Sequence, residues 1–339
     1  MVALMSVPAL VAVMTCELRR MSPILSAAVL LCVTSSGFAQ SAYPSKPVRL
    51  LVPFAAGGSV DIVARIVTDQ VSAGRGARFI LDYRPGAGGT LGVEAGAKAA
   101  PDGYTLVFGT VATHVIAPFL FPKLGYDPVK DFVPLTVLAY LPNMLTAHPS
   151  LPVKTIKELI VLAKARPGQL NYGSSGNGTA QHLGAAMLEQ MAGIRMTHVP
   201  YRSGAPAITD LLGGHITMMF ITLPAALPHV TATRLRGIAV TSAKRAATLP
   251  DVPAIGETLP GYDVSTWYGV WFPANTPRAI VSGMYADIAE ALKAPELLRK
   301  LTASGGEPGG ETPEQFAAFI KREQTRWGPV VRQSQQRIE

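Results

Sequence analysis

Two glycine-rich stretches that carry hydroxyl side chains are the parts of this sequence best suited to bind a small ligand. The first is Ala-Ala-Gly-Gly-Ser at residues 55–59, which follows an apolar run and precedes apolar residues at helical spacing. The second is Gly-Ser-Ser-Gly-Asn-Gly-Thr at residues 173–179, which lies between similar patterns. Both stretches are therefore predicted to connect the end of a strand to the start of a helix.

The start of a helix favours an anion, because its first backbone N–H groups are unpaired and carry partial positive charge. Glycine lets a ligand approach this backbone closely. The sequence therefore predicts an anion site at each turn, with Ser59 and Thr179 as N-cap residues. Asp61 falls in the first helical turn and is expected to orient the loop, since a bare carboxylate would repel an anion. A tight turn that binds nothing is the alternative for the first stretch.

The rest of the chain supplies the elements that must position these turns. Strand-like and helix-like segments alternate after residue 43, which is typical of an α/β protein with mainly parallel sheets. Ligands bind such sheets at the carboxyl ends of the strands. Because the two turns lie far apart in the sequence, we predict a cleft between two α/β domains.

The composition is that of a folded, turn-rich soluble protein. The 339 residues are 48% hydrophobic and 15% charged and include 32 glycines and 28 prolines, which excludes a disordered chain. The net charge of +8 is not concentrated in a tract of basic and aromatic residues, so no nucleic acid is expected as a partner.

An N-terminal signal peptide is predicted at residues 1–39. Arg19 and Arg20 precede an apolar run too short for a permanent bilayer helix, and Gly37 and Ala39 form the small-x-small pattern of a signal-peptidase site. We therefore expect a periplasmic protein. An uncleaved anchor and a true start at Met21 are alternatives. Both cysteines lie in this segment, so the mature chain is expected to have no disulfide.

The sequence lacks motifs for catalysis, metals and cofactors. Residues 173–177 miss the last glycine of the G-x-S-x-G nucleophile elbow, and no Walker loop or H-E-x-x-H motif is present. The six histidines do not have the spacing of metal ligands. We therefore predict no enzyme activity, no metal and no cofactor. A hydrolase that uses Ser174 or Ser175 is the alternative.

Nine short sequence words occur in the order typical of one protein family. They are YPSKPVR (43–49), VPFAAGGSVD (52–61), RPGAGG (84–89), PDGYT (101–105), NYGSSGNG (171–178), HVPYR (198–202), DLLGG (210–214), AVTS (239–242) and LPDVP (249–253). On these words the chain resembles the Bug family, the extracytoplasmic solute receptors of tripartite tricarboxylate transporters.

The resemblance implies a type II periplasmic-binding-protein fold, an α/β fold with two domains on either side of a ligand cleft. The domains would be residues 40–140 plus 264–339 and residues 141–263, with crossings near residues 138–142 and 262–267. Such receptors are expected to be monomers that bind a small organic anion, here a mono- or dicarboxylate, and deliver it to the permease subunits in the membrane. A solute sensor that reports to a signalling partner is the alternative.

The resemblance also implies ligand-binding residues on both sides of the cleft. In the first domain they are Phe54, Gly57, Gly58, Ser59 and Asp61, followed by Thr110 and Thr113. In the second domain they are Ser174, Ser175, Gly176, Asn177 and Thr179, with Tyr201 as a wall of the cleft. His114, which follows a predicted strand end, is a further candidate for ligand contact.

One position departs from the family pattern. Many members place an acidic residue after the strand predicted at residues 216–220, where this chain has Ile221. An acid there would bind an amino or hydroxyl group of the ligand, and isoleucine cannot. We therefore expect a ligand that has no amine and a more apolar body. A simple core position for Ile221 is the alternative.

Overall fold

The computed structural model of the protein describes residues 43–333. The predicted signal peptide at residues 1–39 lies outside the described residues. The chain divides into two units between Ser45 and Lys46, and of the first unit only a short bend at residues 43–45 is described. All strands and helices below belong to the second unit.

Ten strands are present in the described residues. They are β1 (Val48–Val52), β2 (Phe79–Tyr83), β3 (Thr105–Thr110), β4 (Phe132–Ala147), β5 (Asn171–Ser174), β6 (Thr197–Pro200), β7 (Met218–Thr222), β8 (Arg236–Val240), β9 (Ser265–Pro273) and β10 (Glu307–Pro308). Only Arg49 of β1 is exposed, because β1 lies between two parallel strands and is covered on both faces. A nearly continuous apolar run is therefore the expected sequence of this strand.

Ten α-helices connect the strands of the described chain. They are α1 (Ser59–Arg75), α2 (Thr90–Ala97), α3 (Ala117–Leu120), α4 (Ile156–Ala165), α5 (Ala180–Ala192), α6 (Gly204–Leu212), α7 (Leu223–Thr231), α8 (Arg278–Ala291), α9 (Pro295–Ala303) and α10 (Pro313–Gln333). Single turns of other helical types lie at Ala87–Gly89, Ala112–Ile116 and Ile255–Glu257. Gly76 caps the C-terminus of α1, and its φ of 69° is in the left-handed region that glycine adopts without strain.

The strands form two sheets that share β4. The first sheet has the order β2-β1-β3-β9-β4, with β10 also beside β4, and the second has the order β4-β7-β5-β6, with β8 also beside β4. The four pairs β1–β2, β1–β3, β5–β6 and β5–β7 are parallel, whereas the pairs that contain β4 or β9 are antiparallel. The structure is thus α/β with mixed sheets.

Strand β4 passes from one sheet to the other. Its residues 132–142 pair with β9, and its residues 143–147 pair with β7 and β8. Strand β9 begins at Ser265, opposite Pro142. We call the elements built on the first sheet (β1–β3, β9, β10, α1–α3 and α8–α10) the first half, and those built on the second sheet (β5–β8 and α4–α7) the second half. The predicted domain limits stay a prediction, since the chain from Lys46 onward forms one compact unit.

The C-terminal helix α10 returns to the first half and packs on the shared strands. Trp267 and Trp327 both donate from Nε1 to Glu323 Oε2, at 3.1 and 3.3 Å. Trp267, Trp271 and Phe316 are all buried here. Within residues 43–333, no helix is both long enough and apolar enough to cross a membrane.

Candidate ligand-binding site

A small cavity lies where the two halves meet. Its volume of about 30 Å³ is roughly the room of two water molecules. Four segments line it: the start of α1, the turn after β3, the start of α5, and β9. The lining residues are Phe54, Ser59, Val60, Thr110, Val111, Ala112, Ser175, Thr179, Ala180, Gln181, Thr266 and Tyr268. An organic carboxylate is larger than this cavity, so it enters only when the lining segments move apart.

Helix α1 presents its N-terminus to the cavity through Ser59 and Val60. The N-cap position is Gly58 rather than the predicted Ser59, and Gly58 has no side chain to occupy the first helical N–H groups. Ser59 Oγ lies instead 2.7 Å from the hydroxyl of Tyr268 on β9, which explains the shift of one residue. Burial raises the pKa of Tyr268 to about 12, so this hydroxyl keeps its proton and can donate a hydrogen bond.

Asp61 holds the loop before α1 instead of facing the cavity. Its Oδ2 accepts the backbone N–H of Gly57 at 2.9 Å, and its Oδ1 accepts Arg65 Nε at 2.8 Å and the hydroxyl of Tyr83. The prediction that Asp61 orients the loop is therefore confirmed. The same bond occupies the amide of Gly57, so this N–H is not a free donor for an anion.

The turn after β3 brings Thr110 to the cavity and keeps Thr113 behind it. Thr113 Oγ1 accepts the N–H of Thr110 at 3.0 Å and donates to its carbonyl at 3.1 Å, so this hydroxyl closes the turn. Thr110 is 3% exposed, and its own Oγ1 has no hydrogen-bond partner among the described residues. A buried hydroxyl without a hydrogen-bond partner is destabilising. A ligand oxygen at the cavity would accept a hydrogen bond from it and remove this cost.

His114 lies in the core behind the same turn. Its ring stacks on Trp271, with centroids 3.8 Å apart and planes 9° from parallel, and its Nδ1 lies 3.0 Å from Thr113 Oγ1. The irregular turn Ala112–Ile116 points the ring away from the cavity. The structure therefore does not bring His114 to the candidate site, although the residue follows a strand end as predicted.

Helix α5 presents the second N-terminus of the site. Thr179 is its N-cap, as predicted, and accepts the N–H of His182 at 3.3 Å. The next residues, Ala180 and Gln181, line the cavity together with Ser175. Parallel pairing of β5 with β6 and β7 fixes this turn at the carboxyl end of a strand, where the α/β architecture places ligands.

Ser174 holds this turn by a hydrogen bond to its backbone. Its Oγ accepts the N–H of Gly176 at 3.1 Å and lies 2.7 Å from His198 Nε2. Burial, and then the neighbouring His182, lower the pKa of His198 to about 3, so its ring is neutral at neutral pH. Ser174 is fully buried and does not line the cavity. Neither member of this serine–histidine pair lines the cavity.

A buried amide at the crossing adds a donor beside the cavity. Asn143 Oδ1 accepts Gln181 Nε2 at 3.2 Å and Thr266 Oγ1 at 3.1 Å, and both of these residues line the cavity. Asn143 is fully buried, and its Nδ2 has no partner within the part of the chain that the structure describes. Gln181 and Thr266 thus form one polar wall that Asn143 orients from behind.

Five of the fifteen residues predicted for the site line the cavity. They are Phe54, Ser59, Thr110, Ser175 and Thr179. Those missed include Gln181, which stands two residues after the predicted cap Thr179 and was recognisable from that position. Thr266 and Tyr268 were not recognisable, because only the pairing of β9 with β4 and β3 turns them toward the two loops.

Ile221 and Tyr201 lie next to the cavity without lining it. Ile221 is 1% exposed and belongs to an apolar cluster with Met144 and Leu211. This is the core position that was the alternative interpretation of Ile221. Tyr201 is half-buried and donates to Asp210 Oδ2 at 2.7 Å, which fixes its ring near Gly173.

The two halves touch through glycine-rich loops at the mouth of the cavity. A Cβ placed on Gly88 would lie 2.3 Å from the carbonyl oxygen of Asn177, and one placed on Gly57 would lie 3.6 Å from the Cβ of Ala205. The backbone at Gly88 also approaches Gly176. Gly57 and Gly88 belong to the first half, and their partners belong to the second. The structure is therefore a closed arrangement of the cleft.

Comparison with known proteins agrees with this architecture. A family model described as the tripartite tricarboxylate transporter family receptor matches residues 63–335. The chain belongs to this receptor family. The resemblance to Bug receptors, the α/β receptor fold and the solute-receptor function expected from the sequence are thereby confirmed.

Relatives of this receptor cover nearly its whole length. A UPF0065 protein from the tcbD-tcbE intergenic region of Pseudomonas sp. strain P51 is 37% identical over 312 residues, which is 91% of this chain and 93% of the relative. A structure from R. palustris with adipate is 36% identical, with a TM-score of 0.84, and the match covers 86% of this chain and 98% of that one. MatC from Rhodopseudomonas palustris with bound malate is 32% identical, with a TM-score of 0.81 and coverage of 85% and 100%.

The buried imidazole of His114 should make this receptor sensitive to acid. Burial lowers the pKa of His114 from 6.5 to about 3. Between pH 6.5 and pH 3 the folded protein keeps the ring neutral, whereas the unfolded chain binds a proton. The free energy that the neutral ring contributes to stability is therefore complete above pH 6.5 and is lost as the pH falls toward 3. At pH 5 the loss is about 2 kcal/mol.

The variant His114→Phe removes this titration and keeps an aromatic ring on Trp271. Between pH 7.5 and pH 5, its free energy of unfolding in urea should fall by about 2 kcal/mol less than that of the parent. His215→Gln, which replaces an exposed histidine, is the matched control and should follow the parent. Parallel pH profiles for His114→Phe and the parent would refute this assignment.

Proposed function

We propose that this receptor binds a small aliphatic carboxylate without an amino group and delivers it to the permease subunits of a tripartite transporter. One observation carries the proposal: helix starts from both halves converge on one cavity that no charged side chain lines, and an unpartnered hydroxyl lies in that lining. The N-termini are those of α1, of the turn after β3 and of α5. The unpartnered hydroxyl is that of Thr110, and Asn143 Nδ2, on the shared strand β4 behind the lining residues Gln181 and Thr266, also has no partner among the described residues.

Neutral donors of this kind suffice for useful affinity. A charge-assisted hydrogen bond from a neutral N–H or O–H to a carboxylate contributes about 1.5–3 kcal/mol. After the cost of association is subtracted, four to six such bonds support a binding free energy of about −8 kcal/mol. This free energy corresponds to a dissociation constant near the micromolar range. The site therefore needs no arginine to hold an anion.

The surroundings of the cavity support a ligand without an amine. Among the residues that the structure describes, none that lines the cavity has a charged side chain. The nearby carboxylate of Asp61 is engaged by Gly57, Arg65 and Tyr83. An ammonium group would therefore be desolvated here without a counter-ion, which is strongly unfavourable.

The relatives support the same ligand class, since structures similar to this chain contain adipate and malate, both carboxylates without an amine. We also propose that the protein is exported by a cleavable signal peptide to the periplasm and is a monomer there. Its two domains would divide at the crossings of β4 and β9.

A binding screen tests the proposal. The purified protein is titrated with adipate, malate and aspartate, and thermal unfolding and calorimetry report binding. At a hundredfold excess over its dissociation constant, a ligand of the native state raises the apparent stability by about 2.7 kcal/mol. We expect such a shift with adipate or malate and none with aspartate.

The variant Thr110→Val tests, in the same screen, whether the ligand binds at this cavity. This variant replaces the unpartnered hydroxyl with a methyl group, so the ligand-free stability should hold or rise while affinity falls about fivefold to tenfold. Thr68→Val, in the middle of α1 and away from the cavity, is the control and should bind like the parent. Binding of aspartate alone would contradict the inference about the amine, and no response to any of the three acids would contradict the proposed function.

A further inference from the structure

Two histidine rings stack on each other beside the turn at residues 175–179, which we call the α5 turn. His182 lies in the first turn of α5 and His198 lies on β6. Their ring centroids are 4.0 Å apart, and the ring planes are 11° from parallel. Tyr172 of β5 also stacks on His198, with centroids 5.0 Å apart. The three rings thus connect the start of α5 to two parallel strands, and none of them lines the cavity.

Each histidine also holds part of the α5 turn through a ring nitrogen. Nδ1 of His182 accepts the backbone N–H of Gly178 at 3.2 Å. Nε2 of His198 lies 2.7 Å from Oγ of Ser174, and the same Oγ accepts the backbone N–H of Gly176 at 3.1 Å. One glycine amide is therefore held directly by a histidine, and the other is held through a serine.

The surroundings of these amides require an uncharged acceptor. Gly178 is buried and has a φ of 75°, so its N–H needs a partner within the protein. An N–H group can donate only to a ring nitrogen without a proton, so Nδ1 is the unprotonated nitrogen of His182. Burial, followed by the neighbouring His182, lowers the pKa of His198, so its ring is also uncharged at neutral pH. The two rings therefore stack without repulsion between charges.

We propose that His182 and His198 are positioning residues, which hold the α5 turn in the conformation that binds a carboxylate. The cavity-lining residues Ser175, Thr179 and Gln181 lie next to the residues that the two histidines hold. Because the turn is fixed before the ligand arrives, little conformational entropy is lost in ordering it on binding. This inference rests on the proposed function and adds the groups that pre-organise the second half of the site.

Two variants of His182 separate its hydrogen bond from its stacked ring. His182→Asn keeps an acceptor oxygen near the position of Nδ1 and loses the ring, whereas His182→Phe keeps a ring beside His198 and loses the acceptor. Calorimetry measures the affinity of the parent and both variants for adipate and malate, and thermal unfolding without ligand measures their stability. We expect His182→Phe to bind about tenfold more weakly than the parent and His182→Asn to stay within about threefold of it.

A second pair of variants tests the same inference at His198. His198→Gln keeps a side-chain amide that can reach Oγ of Ser174, and His198→Phe keeps only a ring. The glutamine variant should again bind more tightly than the phenylalanine variant. His215→Phe, which places the same ring at an exposed histidine away from the cavity, is the control and should bind like the parent.

A purely structural role of the histidines gives the opposite order of affinities. In that case affinity follows packing, and the variants that lose the stack, His182→Asn and His198→Gln, bind no better than the two phenylalanine variants. This order, or parent-like affinity of both phenylalanine variants, would overturn the positioning role and leave the proposed function intact. If a His182 variant does not fold, the His198 pair decides the question. Failure of the parent to bind either acid would overturn both the positioning role and the proposed function.

Discussion

Replacement of Gly88 by alanine should weaken carboxylate binding by tenfold to a hundredfold and leave the ligand-free protein folded. The methyl group would lie 2.3 Å from the carbonyl oxygen of Asn177 across the mouth of the cleft. The added Cβ and the carbonyl oxygen of Asn177 are both fixed to the backbone, so no side-chain rotation can separate them. The contact is relieved only when the two halves move apart. Overpacking of this kind costs about 1–3 kcal/mol, and this cost falls on the closed state alone. Calorimetric affinity for adipate and malate measures the effect.

Gly76→Ala is a matched control for this variant. Gly76 has a φ of 69°, close to the 63° of Gly88, so both substitutions carry the same left-handed backbone strain. A Cβ at Gly76, however, meets no atom within 4 Å. Gly76→Ala should therefore lose stability like Gly88→Ala but retain the affinity of the parent. If both variants bind equally well, the bound state keeps the loops further apart than this structure does.

A disulfide between positions 57 and 205 should lock the cleft and stop ligand exchange. The Cβ positions at Gly57 and Ala205 are 3.6 Å apart in the closed arrangement, within the range of disulfides of about 3.5–4.5 Å. The double variant Gly57→Cys/Ala205→Cys, oxidised without ligand, should fail to bind any carboxylate. The same protein oxidised with ligand should fail to release it. Both effects should disappear on reduction.

The controls for the lock are the two single cysteine variants, which carry the same side chains without the covalent bond. The sequence's own cysteines, Cys16 and Cys32, lie in the predicted signal peptide and do not compete in a processed chain. Titration of free thiols verifies that the bond has formed. An oxidised double variant that exchanges ligand at the rate of the parent would show that opening does not separate the loops at Gly57 and Ala205.

The sequence predicts those parts of the site that depend on local signals. A strand followed by a glycine-rich turn and a helical pattern was recognisable twice, and the structure has a helix start after each turn, with Thr179 as the predicted cap. The order of the sequence words was enough to recognise the family and with it the fold. These features depend on residues that are neighbours in the chain, so a single sequence contains them.

The parts that were missed depend on residues far apart in the chain. Ser59 is a good N-cap by type, but the hydroxyl of Tyr268, 209 positions away, takes its side chain. Thr266 and Tyr268 line the cavity because β9 pairs with β3 and β4, a pairing that no local pattern reveals. His114 follows a strand end as expected, yet an irregular turn of five residues sends it into the core beside Trp271. In each case a tertiary contact overrides the local signal.

The link between the halves consists of two neighbouring strands that are hydrogen-bonded to each other. At the crossing, Leu141 pairs with Thr266 and Pro142 with Ser265, so neither connection is a free linker. Hydrogen bonds between the two strands hold them side by side, so the two halves have fewer relative orientations available than two free linkers would allow. Each closure therefore brings the same loops together without a search through orientations. Little linker entropy is lost on binding, and more of the contact energy remains as affinity for a small ligand.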